Sequence, residues 1–161
     1  MRSALLLLLL ATLAACGYST QRLDAFPNAR SIAIVPFQSP GFRRDLDLRL
    51  TQAVVDAIRA RTSYSIGAPG SADLVLSGVM VADEVVTLQR ASREVVEKRL
   101  QGDLQVTIKD RRSGRVVKTY RAYDTVTFTP GRQGETLEGS AYDQWVQRVA
   151  LRVAQGLETG L

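Results

Sequence analysis

The sequence predicts an α+β fold, a two-layer sandwich in which two helices cover one face of a four-stranded mixed/antiparallel sheet, in the order β-α-β-β-β-α. Three observations predict it. Two segments repeat apolar residues at helical spacing, one before residue 61 and one after residue 139. Three strand-like runs lie consecutively between them. A short, wholly apolar run precedes the first helix. Consecutive strands pair most simply as an antiparallel meander. The first strand joins that sheet once the helix has crossed back, and both helices then bury their stripes on one sheet face.

The first strand is Ser31 to Phe37, SIAIVPF, apolar on both faces as a strand inside a sheet should be. Pro36 ends it because proline cannot donate to a ladder, and Pro40-Gly41 marks the next turn. From Phe42 to Ala60, Leu46, Leu50, Val54 and Ile58 recur every fourth residue, flanked by Ala53 and Ala57. Gly67, Pro69 and Gly70 read as a loop. Asp73 to Leu88 is rich in Val and Leu and reads as a long strand, with Gly78 marking a bulge or a close backbone approach. Arg90 to Arg93 turns the chain.

Leu100, Gly102, Leu104, Val106 and Ile108 then alternate with Gln101, Asp103, Gln105 and Thr107, so one face is buried and the other wet. Asp110 to Gly114 is a hairpin loop, and Val116 to Phe128 returns antiparallel. Lys118 and Asp124 interrupt the apolar parity of that strand. Pro130 to Gly134 is a loop. Ser140 and Asp143 have capping-box spacing and start the closing helix, whose stripe is Tyr142, Trp145, Val149 and Val153, widened by Val146, Ala150 and Leu157. The opposite sheet face carries Gln101, Asp103, Gln105, Thr107, Thr119, Arg121, Tyr123, Thr125 and Thr127. It either faces water or lines a hydrated channel inside a partner.

Composition narrows the function classes. No histidine occurs in the 161 residues, which removes His-based triads, His metal ligands and the usual general base near neutral pH. Asp83-Glu84 lacks a neighbouring base or a metal-ligand spacing. We therefore expect no enzyme, no metal and no catalytic residue. The net charge is +5, with arginine in excess over lysine. Arginine binds phosphate and carboxylate in a planar fork.

The N-terminus sets the compartment. Ala4 to Ala15 is apolar apart from Thr12 and follows Arg2. The run is too short for a bilayer span and fits the apolar core of a secretory signal. The sole cysteine, Cys16, follows Leu13-Ala14-Ala15, an order that resembles the bacterial lipobox. On that resemblance, residues 1–15 are a lipoprotein signal peptide and Cys16 receives a diacylglycerol. Each buried methylene of such a lipid contributes about 0.8 kcal/mol. Residues 16–30 are a lipidated tether, and residues 31–161 form the domain. The covalent lipid is the only prosthetic group expected. Gly17, where an Asp would resemble an inner-membrane retention signal, favours the outer membrane. An exported chain meets lipids and glycolipids, so no nucleic-acid partner is expected.

Taken together, Cys16-Gly17-Tyr18, SIAIVPF with its following helix, ADLVLSGVM, DRRSGRVV and WVQRVALRVA resemble the lipopolysaccharide-assembly lipoprotein family (LptE type). The resemblance spans the domain. It implies a lipid-anchored outer-membrane protein facing the periplasm. Such a protein plugs a large β-barrel that inserts lipopolysaccharide, assists assembly of that barrel, and binds lipopolysaccharide. It also implies cationic ligand contacts, carried over to Arg90, Lys118 and Arg121. Charge reversal at Lys118 and Arg121 is then expected to weaken ligand binding with little change in thermal unfolding. A different class, a lipid-binding auxiliary lipoprotein of an envelope ABC-type transport system, is the alternative reading.

Overall fold

A computed structural model describes residues 24–39, 44–91, 94–129 and 134–158. The signal peptide and Cys16 lie outside these residues. The elements in chain order are β1 (Ser31–Ile34), α1 (Arg44–Arg61), β2 (Ser65–Ile66), β3 (Leu74–Ala91), β4 (Glu94–Asp110), β5 (Val116–Phe128) and α2 (Gly134–Glu158). They form one mixed five-stranded sheet in the order β2-β1-β3-β4-β5. β1 runs parallel to β2 and β3, while β3, β4 and β5 form the antiparallel meander.

The α+β architecture is as expected, with one strand more. That strand, β2, is two residues long and lies within what the sequence presents as a loop. Four boundaries also move. β1 ends at Ile34, three residues before Phe37. β3 continues through Arg90 to Ala91, so Arg90 is a strand residue paired with Val95 rather than part of a turn. β4 begins at Glu94, six residues before the apolar alternation starts. α2 begins at Gly134, so Ser140 lies inside the helix and is not its cap.

The core follows the two stripes. Leu46, Leu50, Val54 and Ile58 of α1 are buried, as are Trp145, Val149, Val153 and Leu157 of α2. They form one cluster with Ile32, Leu74, Leu76, Met80, Leu100, Leu104, Val106, Ile108, Ala122 and Val126 from the sheet. Asp45 and Asp47 in the first turn of α1, and Arg59 and Arg61 in its last turn, complement the helix dipole. Ion pairs Arg49–Asp143 and Arg61–Glu158 join early residues to early and last to last, so the two helices run in the same direction.

Close approach is built on glycine. A Cβ at Gly102 would stand 2.6 Å from Trp145 Cε2, well inside contact distance. A Cβ at Gly156 would stand 2.5 Å from the Tyr120 ring. These two glycines, one on β4 and one on α2, seat α2 directly on the sheet. Gly78 makes room for the Phe37 ring in the same way. The register shifts of β3 fall later, between Met80 and Ala82 and again between Thr87 and Arg90.

Among the described residues, no helix covers the second sheet face. Thr119, Thr127, Gln105 and Arg121 are exposed there, as the sequence predicts. The face is not wholly polar, because Val79 and Val81 of β3 and Tyr123 of β5 are exposed on it too.

Candidate ligand groove at the sheet edge

β5 is the outer strand on the long side of the sheet. The second half of α2 runs beside it and leaves a groove of about 580 Å³ between them. Lys118, Tyr120, Arg121 and Tyr123 enter from the strand, Arg152 and Gln155 from the helix, and Arg61 from α1. Four cationic side chains thus meet one carboxylate, Glu158, along a single cleft.

Each cation has a defined setting. The Lys118 ammonium donates to the Gly156 carbonyl at 2.9 Å. That carbonyl lies in the last turn of α2, where the acceptors lack helical partners and the dipole favours a cation. The same ammonium sits 5.6 Å from the centroid of the Tyr120 ring. The Tyr120 hydroxyl donates to the Val153 carbonyl at 2.7 Å, and burial pushes its pKa above the ordinary range. Lys118 therefore interrupts the apolar parity of β5 because it closes a helix end.

Arg121 projects from the open face and pairs with Asp103, donating from Nε to Oδ1 at 3.1 Å and from a terminal nitrogen to Oδ2. Asp103 is only 7% exposed, so this fork covers a carboxylate that water scarcely reaches. Arg152 lies 3.4 Å from Asp124, whose carbonyl accepts the Trp145 indole N–H at 3.1 Å. Arg61 binds Glu158 through two hydrogen bonds of 2.6 and 3.1 Å, and that partner raises its pKa.

The structure brings Lys118 and Arg121 together but leaves Arg90 apart. Arg90 pairs with Val95, whereas Lys118 and Arg121 pair with Ile108 and Gln105. About ten residues of β4 separate the two places, roughly 33 Å of strand. Arg61, Arg152 and Gln155 line the groove without having been singled out in the sequence. They lie on solvent-facing helical positions whose convergence on β5 no local pattern announces. Asp83 and Glu84 are consecutive β3 residues paired with Gly102 and Gln101. Among the described residues, no group of three or more His, Cys, Asp or Glu side chains could hold a metal ion.

The model of the lipopolysaccharide-assembly family LptE matches residues 29–156. The chain belongs to the LptE family. Its role accordingly lies in lipopolysaccharide assembly in the bacterial envelope. Solved structures agree on the fold of this LptE-family chain. A Xanthomonas campestris protein of the family DUF330 aligns with a TM-score of 0.58 at 13% identity, over 84% of this chain and 91% of that one. A minor lipoprotein from Acinetobacter baumannii aligns with a TM-score of 0.53 at 12% identity, over 81% and 91%. PelC from Paraburkholderia phytofirmans, solved as a dodecamer, gives 0.51 at 16% identity, over 83% and 89%. Among curated proteins none matches the sequence.

Proposed function

We propose that this LptE-family protein is held at the outer membrane by a lipid on Cys16. There it plugs the β-barrel that inserts lipopolysaccharide, assists assembly of that barrel, and meets the ligand's phosphates in the groove beside β5. Its action is structural rather than catalytic. The observation that carries the reading is a sheet face that no described helix covers, opposite the face on which both helices pack. Barrel interiors are polar, and a face of threonine, glutamine and a paired Arg121, with exposed Arg99 and Lys109 toward its two ends, suits such a hydrated wall. Val79, Val81 and Tyr123 supply apolar contact on the same face.

The groove suits an anionic, partly acylated ligand. Arg152 borders it from α2 and Arg121 from β5, and Tyr120 and Tyr123 also line it. Guanidinium groups bind phosphate oxygens through paired hydrogen bonds.

Photo-crosslinking in cells tests the plug. A photoreactive residue at Thr119 or Tyr123 should yield an adduct with one large barrel protein, and one at the exposed helix residue Gln147 should not. Equal adducts from all three positions, or none from the sheet face, would refute the plug. The groove is tested with purified lipopolysaccharide, for which Arg121→Gln with Arg152→Gln should weaken binding severalfold; unchanged binding removes it as the ligand site. For the anchor, Cys16→Ala should release the protein from membranes, and retention of unacylated protein in the outer membrane would overturn it.

A further inference from the structure

The β4–β5 hairpin is the most basic stretch of the described chain, and it stands at the end of the domain where the N-terminal segment enters. Lys109, Arg111, Arg112 and Arg115 crowd into seven residues against one carboxylate, Asp110. Immediately beyond them, Val116 is 55% exposed and Val117 44% exposed. Charged and apolar side chains thus share one protruding tip.

The tip is a built structure. Gly114 takes a left-handed conformation, with φ 67°, and its N–H donates to the Asp110 carbonyl at 2.9 Å. The Asp110 carboxylate accepts from the Ser113 N–H and hydroxyl, both at 2.7 Å. Arg111 is tied down: its N–H donates to the Asp73 carbonyl and its Nε to the Ala72 carbonyl. Arg112 and Arg115 are exposed.

The N-terminal segment borders the tip. Phe26, Pro27 and Asn28 share a depression of about 390 Å³ with Asp110, Arg112 and Val117. Cys16 precedes Asp24 by eight residues, a tether of at most about 29 Å when fully extended. A lipid on Cys16 would therefore keep this end of the domain within reach of the leaflet that receives it.

We propose that the hairpin tip is a second membrane contact, in which Arg112 and Arg115 bind anionic phospholipid headgroups while Val116 and Val117 enter the interface. A basic patch beside a lipid chain is a recognised two-signal arrangement, and its electrostatic part is screened by salt. The inference rests on the anchor at Cys16 proposed above, and its test reads the two separately.

Acylated protein carrying Ser113→Cys is labelled at that position with an environment-sensitive fluorophore. It is then reconstituted in vesicles of phosphatidylcholine alone, or of phosphatidylcholine with phosphatidylglycerol. The label should shift to the blue only in the anionic vesicles and return toward its aqueous emission in high salt. Arg112→Glu with Arg115→Glu should abolish the shift while Arg111 keeps its structural bonds. A label at Thr127→Cys, about 36 Å along β5, should not respond. Equal emission in both vesicle types, or a shift that survives the double charge reversal, would overturn the proposal. Intact mass of the parental protein, whose only cysteine is Cys16, reports the anchor independently of either result.

Discussion

Gly102→Ala offers the sharpest test of how the groove is built. The added methyl would stand 2.6 Å from Trp145 Cε2 and 3.0 Å from Nε1, where ordinary contact begins near 3.4 Å. Neither side yields easily. Gly102 sits mid-strand, paired with Asp83 on one side and Asp124 on the other. Trp145 is 1% exposed, and its indole N–H is committed to the Asp124 carbonyl. Overpacking a well-filled core costs about 1–3 kcal/mol, and a pinned ring places this site near the upper figure. With an unfolding entropy near 2.1 cal/mol/K per residue over roughly 130 residues, about 3 kcal/mol lowers Tm by ~10 °C. Urea unfolding followed by far-ultraviolet circular dichroism measures the cost, and a double-mutant cycle assigns it. In a Trp145→Ala background the methyl has space, so most of the penalty should disappear. A penalty below about 0.5 kcal/mol, or one of equal size in both backgrounds, would show that the glycine does not set the spacing of α2 from the sheet.

Three further outcomes follow from the described contacts. Lys118→Gln and Lys118→Glu should each destabilise the fold, the first by about 1–2 kcal/mol and the second by more, because a charged donor at the end of α2 is lost and then reversed. Denaturant midpoints check this, and it replaces the expectation from sequence that charge reversal there leaves unfolding unchanged. Asp73 accepts from the Arg30 and Ser31 N–H groups and the Ser31 hydroxyl, which holds its pKa below the usual 3.8. A depressed folded pKa contributes stability that is present above 3.8 and lost as pH falls through the folded value. Asp73→Asn should therefore be less stable than the parent at neutral pH, and the gap should close below pH 3.8 in midpoints measured across the acid range. Arg61→Ala should change stability by no more than about 1 kcal/mol, since its pair with Glu158 is partly exposed.

The legible parts of the fold were those with a period. The α1 and α2 stripes and the alternation from Leu100 to Ile108 all lead into the core, because burial on one side imposes 3.6- and 2-residue repeats. Elements without a buried face left no such trace. The strand segments nearest the β3–β4 turn pair only with each other: Glu94 to Glu97 lie beyond Lys98, the last β4 residue with a β5 partner. A ribbon with no third strand need not alternate. β2 is too short to show a pattern, and the first turns of α2 carry Gly134 and Gly139 instead of an apolar stripe. At the site, Lys118 stood out correctly as a departure from parity, yet its reason is a carbonyl 38 positions away. Local sequence marks the anomaly, and only the packing of α2 on β5 supplies the partner.

The layout of the sheet sets Arg90 far from the other basic groups and places the hairpin tip and the groove at successive levels along β5. β4 is 17 residues long, roughly 55 Å if straight, with the Arg112 and Arg115 tip beyond one end and Arg90 opposite the other. An anchor at Cys16 would hold Asp24, and with it this end of the domain, within about 29 Å of its leaflet. Along the sheet, Arg90 lies at the end opposite the tip, and the Lys118–Arg121 groove lies between, nearer the tip. An anionic ligand in the groove would lie beside, and further along β5 than, phospholipid bound by the tip. Charge reversal at the tip should change how the domain stands on the membrane, whereas neutralising Arg121 and Arg152 should change what the groove holds. Because those residues and the tip share no side-chain contact among the described interactions, the two effects should be separable and close to additive.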